Sequence, residues 1–276
     1  MAIYLTIILL ALQSIFVGSN PTTICDKNHE DEISLIKIDP TNMVFLRGTI
    51  TSTSASKIVN QLLQLKSKEI YLYIDSPGGS VMSGLQIIQT IESLQQSGTK
   101  VYTIGNNAAS MAYIIHQYGT ERYVTQWSLL MQHQMSLGME GQYYNLKSYN
   151  SLIDKLHTKL LEKQAKIAGI TVSEFNELTR HDMWLLGNES VQKGFADKIV
   201  NVICDFRPTL ESEILHTFFG DVTIVYSTCP LSNKPVEVKF ADNMSNEQII
   251  QAKSQIESYF DVEYKSDNIK QTNAFN

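Results

Sequence analysis

The chain has 276 residues, 43% hydrophobic and 18% charged, a composition that supports a substantial globular core and excludes a mainly disordered protein. With 22 Lys+Arg against 28 Asp+Glu the net charge is −6, which leaves no basic excess for a nucleic-acid backbone. The three cysteines, Cys25, Cys204 and Cys229, allow at most one disulfide and form no CxxC pair for zinc or redox work. No metal or cofactor is expected.

Residues 1–19 open with the apolar run Ala2–Val17, broken by Thr6, Gln13 and Ser14. The run is short of the roughly 20 residues that a membrane span needs. Its length suits a secretory signal, with Val17-Gly18-Ser19 as a cleavage site. No Lys or Arg precedes Lys27, so an uncleaved anchor or a core helix remain as alternatives. Export or membrane anchoring is expected if either targeting reading holds, and a cytoplasmic location otherwise. Residues 20–42 begin with the polar stretch NPTTICDKNHEDE and are expected to act as a linker.

From Met43 the pattern becomes regular. Met43–Arg47 reads as a strand, and Ser54–Leu65 has helical spacing through Ile58, Leu62 and Leu65. Ile70–Ile74 is a continuous β-prone run of the kind buried on both faces. A helix over Val81–Gln96, a strand over Val101–Ile104 and a helix over Ala108–Gln117 follow. Two short strands, Arg122–Thr125 and Leu129–Gln132, precede a long helix from about Gln142 to Ile167. Thr171-Val172-Ser173-Glu174 is a capping box opening another helix. Strand and helix in alternation with short joints predict α/β architecture: repeated βαβ units and a largely parallel sheet over residues 43–203. Residues 204–276 differ in texture and read as a small α+β extension, with strands at Val222–Tyr226 and Val236–Phe240 and a helix over Asn246–Phe260.

Three strand ends carry possible chemistry. Asp75-Ser76-Pro77-Gly78-Gly79-Ser80 joins a strand to a helix, and its glycines free backbone N–H groups for a ligand. No lysine lies between Lys68 and Lys100, which excludes a phosphate loop and leaves an oxyanion hole open. Ser110 sits among small residues, Ala108-Ala109-Ser110-Met111, where a serine serves as either a helix cap or a nucleophile. A nucleophilic serine needs a base, and the base needs a carboxylate to orient it. His133 ends an apolar strand and Asp182 follows the capping-box helix, whereas His116 is poorly placed on Ser110's own helix.

These segments together, in this order and spacing, resemble the proteolytic subunit of the Clp protease family. The resemblance implies a crotonase-like α/β fold and a serine endopeptidase working through an acyl-enzyme. It also implies Ser110 as nucleophile, His133 as base, Asp182 as orienting acid, and the N–H groups of Gly79 and Met111 as the oxyanion hole. It further implies a peptide or unfolded-protein substrate and a homo-oligomeric ring. An ATPase unfoldase is a further possible partner, but the family's N-terminal pore segment has no clear counterpart before Met43. The chain departs from the family pattern at Asp75, where Asn is usual, and at Met135, where Pro is usual. Two alternatives remain open. One is a Ser–Lys dyad resembling signal peptide peptidase A, with Lys159 or Lys163 as base; the other is a non-catalytic scaffold subunit.

Overall fold

The computed structural model describes residues 33–136 and 138–260, the side chains of 254–260 excepted. The expected leader 1–19, the first part of the linker and Cys25 lie outside the described residues. Among the described residues, no helix is long and apolar enough to cross a membrane.

Among the described residues, five parallel pairings build the main sheet. Its strands are β1 (Ser34–Ile38), β2 (Met43–Arg47), β3 (Glu69–Ser76), β4 (Lys100–Ala109), β5 (Arg122–Gln132), β6 (Met183–Leu186) and β7 (Lys198–Cys204). The order is β1-β7-β5-β4-β3-β2, with β6 antiparallel to the second half of β5. Between the strands run α1 (Ser52–Gln64), α2 (Val81–Gln96), α3 (Met111–His116), α4 (Tyr143–Ala168), α5 (Val172–Leu178) and α6 (Gly187–Gln192). The βαβ alternation expected from the sequence is therefore the architecture found.

The sheet begins earlier than expected. Ser34–Ile38, inside the segment read as linker, is β1, and it pairs with β7 from Ser34↔Val200 to Ile38↔Cys204. The two strands expected over 122–132 are one continuous strand. The helix expected from Ala108 starts only at Met111, because β4 runs on to Ala109.

Alternation along β3 divides the core. Ile70, Leu72 and Ile74 face the helices with Ile58, Leu62, Ile87 and Ile91, while Tyr73 turns to the other face with Tyr102 and Tyr123. Burying each such aliphatic side chain stabilises the fold by about 1.5–3 kcal/mol. On the second face the rings of Tyr71, Tyr102 and Tyr123 stack in series, with centroids 5.2 and 5.5 Å apart. At the start of β5, Arg122 binds Asp197 through two of its nitrogens, at 2.6 and 3.0 Å, and also reaches Gln117 and Gly194 O. Asp197 is held below the ordinary carboxylate range: burial opposes its ionisation, and the Arg122 hydrogen bonds outweigh that effect.

The described residues 33–260 belong to one compact unit, so the described part of the C-terminal extension is not set apart from the sheet. It contains β8 (Leu210–Thr217), β9 (Gly220–Ser227), β10 (Glu237–Phe240) and α7 (Asn246–Phe260), with the strands in the order β10-β9-β8. Its own core gathers Val222, Ile224, Tyr226, Met244 and Ala252. Cys204 and Cys229 form a disulfide, with Cα atoms 6.0 Å apart, that ties the end of β7 to the end of β9.

Candidate active site

Ser110 follows β4 directly and stands at the N-cap position of α3, yet its side chain caps nothing. Its φ is 55° and ψ −122°, and it is the one residue other than glycine with positive φ among the described residues. Such a conformation costs of order 1–3 kcal/mol and persists only where surrounding bonds enforce it. Here the Ser110 N–H donates to Met131 O at 2.8 Å, and the Ile114 N–H donates to Ser110 O at 3.1 Å. Small, buried Ala108 and Ala109 let the chain make this turn inside the sheet. The backbone thus turns the hydroxyl away from the helix that it would otherwise cap.

His133 is the first residue beyond β5, and its Nε2 lies 2.8 Å from Ser110 Oγ. When Nε2 accepts the serine hydroxyl, the ring proton resides on Nδ1. Asp182 immediately precedes β6. The β5–β6 ladder ends at Gln132↔Met183, and its next step sets His133 opposite Asp182. Both side chains are half-buried. The structure joins Ser110 to His133 by a hydrogen bond; among the described residues no such bond joins His133 to Asp182.

Gly78 and Gly79 complete the surround. Their φ values of 94° and 141° lie in the region that favours glycine. The Ile50 N–H donates to Gly78 O at 2.8 Å and the Ser80 N–H to Ile50 O at 2.9 Å, which fixes the loop against the end of β2. The N–H groups of Gly79 and Met111 donate to no backbone oxygen among the described residues. They are therefore free to bind an oxyanion. Nearby, a cleft of about 630 Å³ between α1, β2 and the C-terminal unit reaches Asp75, Pro77 and Asn107, but neither Ser110 nor His133 lines it.

Among the described residues none of the other candidate bases hydrogen-bonds Ser110. His116 is fully buried, and burial, reinforced by Arg122, pushes its pKa down to about 3. Lys163 lies 3.7 Å from Glu92 and over the Tyr118 ring, and Lys159 is exposed on α4. Among the described residues no group of His, Cys, Asp and Glu is arranged to hold a metal ion. Two features escaped the sequence reading. One is the strain at Ser110, which no residue pattern announces; the other is a cluster of asparagines around Asp75, drawn from segments far apart in the chain.

The Clp protease family pattern matches residues 28–202. The ATP-dependent Clp protease proteolytic subunit 2 of Bifidobacterium longum is 30% identical over 165 residues, covering 57% of this chain and 78% of that protein. The ATP-dependent Clp protease proteolytic subunit 1 of Leifsonia xyli subsp. xyli is 30% identical over 164 residues, covering 57% of this chain and 82% of that protein. With the family pattern spanning well over half of its length and a largely parallel sheet beneath the site, this chain belongs to the Clp protease family and is a serine peptidase.

Proposed function

We propose that the chain is an endopeptidase in which Ser110, His133 and Asp182 form the catalytic triad. The observation that carries this reading is the 2.8 Å contact between Ser110 Oγ and His133 Nε2, made by a serine whose strained backbone serves no cap. His133 Nε2 takes the hydroxyl proton as Ser110 Oγ attacks the scissile carbonyl carbon. The negative charge that develops on the carbonyl oxygen is met by the N–H groups of Gly79 and Met111. His133 then gives its proton to the leaving amine as the C–N bond breaks, and water releases the acyl group by the reverse path. Asp182, next in register to His133, holds the Nδ1 proton and stabilises the imidazolium in the substrate complex, where catalytic hydrogen bonds often tighten.

A fluorophosphonate probe tests the assignment. It should label Ser110 in the native protein and fail in both Ser110→Ala and His133→Ala. Labelling that survives His133→Ala but is lost in Lys159→Ala or Lys163→Ala would replace the triad with a Ser–Lys dyad. No labelling of a folded sample would leave a scaffold subunit.

The relatives are named as subunits of an ATP-dependent protease. We extend this to an oligomer of the chain acting on unfolded polypeptide. The mass of the native particle measures it, and a monomer would overturn it.

A further inference from the structure

The C-terminal unit reaches the catalytic loops through Asn233. Asn233, in the loop between β9 and β10, donates from Nδ2 to Asp75 Oδ2 at 2.6 Å across 158 residues of sequence. The same carboxylate accepts Asn106 Nδ2 at 2.9 Å, and Asn107 Nδ2 at 3.3 and 3.4 Å. A carboxylate is an acceptor with room for several donors, so three amides converge on it without conflict.

What Asp75 holds matters for Ser110. The ladders on both sides of β4 shift register at Asn106: Ile74 pairs with Gly105 but Asp75 with Asn107, and on the other side Val124 pairs with Gly105 but Leu129 with Asn107. Asn106 is therefore a bulge without a ladder partner, and its place is set by side-chain bonds to Asp75. The chain from this bulge runs straight through Ala108 and Ala109 into Ser110.

We propose that Asn233 is a positioning residue for the peptidase reaction. It acts through the Asp75 carboxylate on the Asn106–Asn107 bulge and so on the aim of Ser110. The C-terminal unit is then a working part of the site. Two other ties hold Asn233 in range. Arg47 lies between the rings of Phe45 and Tyr226, 4.5 and 3.9 Å from their centroids, and donates to Ser227 O. The Cys204–Cys229 disulfide fixes the end of β9 four residues before Asn233. Removing the Asn233 donor leaves these ties intact and frees one side of the carboxylate to turn toward water. A displacement of about 1 Å at a reacting group is enough to cost up to 10²-fold in rate.

This inference rests on Ser110 being the nucleophile, and the experiment separates the two claims. In the full chain, kcat and KM for a fluorogenic peptide and the rate of fluorophosphonate labelling are measured for the native protein, Asn233→Ala, Asn233→Asp and Asp75→Asn/Asn233→Asp. Asn233→Ala should lower kcat and the labelling rate by about tenfold or more, with KM unchanged. Asn233→Asp, which sets two carboxylates face to face, should lose more. The double variant restores one donor and one acceptor and should recover most of that loss, as coupled neighbours do. Native kcat and labelling in Asn233→Ala, a loss confined to KM, or no recovery in the double variant would each overturn the positioning role while leaving the triad standing. Failure of the native protein to label at all would overturn both.

Discussion

Gly78 lies against Ser110 so closely that a Cβ built on it would fall 2.8 Å from Ser110 Cβ, 2.7 Å from Ala109 O and 2.9 Å from the Met111 nitrogen. The glycine is thus required twice, by its φ of 94° and by the space that it leaves for Ser110. Gly78→Ala is expected to lower kcat/KM by about 10²-fold. It should also destabilise the fold by about 1–3 kcal/mol through the positive φ alone. Peptide hydrolysis and urea unfolding of the variant check both, and activity within twofold of native would contradict the close approach.

If Ser110 is the proposed nucleophile, replacing it has two separable effects, one on catalysis and one on the strained backbone. Ser110→Ala and Ser110→Gly should each lose about 10⁴–10⁶ in kcat. Their stabilities should differ. Glycine adopts φ near 55° without a Cβ penalty, whereas alanine keeps it. The glycine variant is expected to be the more stable by about 1 kcal/mol after its extra unfolded-state entropy is counted. Parallel denaturant melts decide it, and an alanine variant as stable as the glycine one would mean that the backbone at residue 110 is unstrained.

Asp182 is placed by the β5–β6 register, and among the described residues it has no hydrogen bond to His133. Asp182→Asn should leave the circular dichroism spectrum unchanged and lower kcat by about 10⁴ if it sets the His133 tautomer as triad acids do. A loss under tenfold would remove Asp182 from the triad and leave Ser110 and His133 acting with another orienting group.

His116 makes the fold sensitive to acid. It is sealed in the core beside Arg122 and Asp197, and neither ring nitrogen has a hydrogen-bond partner among the described residues. Its folded pKa of about 3 lies well below the roughly 6.5 of an unfolded histidine. Protons therefore bind the unfolded chain first. The stability that neutral His116 permits is complete above about pH 6.5 and is lost as pH falls toward 3, at up to about 1.4 kcal/mol per pH unit. Asp197, also depressed, adds loss in the same direction at the acid end. Urea midpoints should fall between pH 6.5 and 4.5 in the native protein and stay nearly level over that interval in His116→Leu.

Much of this molecule is legible where local pattern and tertiary environment agree. The apolar run of β3, the stripe of α2 and the Thr171 capping box all announce themselves because burial on a known face imposes the spacing. β1 and β8 do not. Both expose most of their residues, so Ser34–Ile38 and Leu210–Thr217 carry too little alternation to stand out from loops. β5 reads as two strands in the sequence because Gln126 and Trp127 are exposed where its ladder with β4 shifts register. In the site, Ser110 and His133 were identifiable as residue types in a recognisable order. The turn at Ser110 and the reach of Asn233 to Asp75 depend on contacts between distant segments, which no local spacing encodes.

The pairing of β1 with β7 sets an order of assembly. Ser34 emerges from the ribosome long before its partner Val200, and synthesis of the intervening stretch takes on the order of ten seconds. Until then one edge of the sheet stays open, and the contacts that close it are among the most distant in the chain, which slows folding. The proposed site inherits the same schedule. Ser110 and His133 lie close together in sequence, but the Asp182 segment and Asn233 arrive only with the last strands. On the roles proposed here, the nascent peptidase reaches full activity only after both the Asp182 segment and Asn233 have been made.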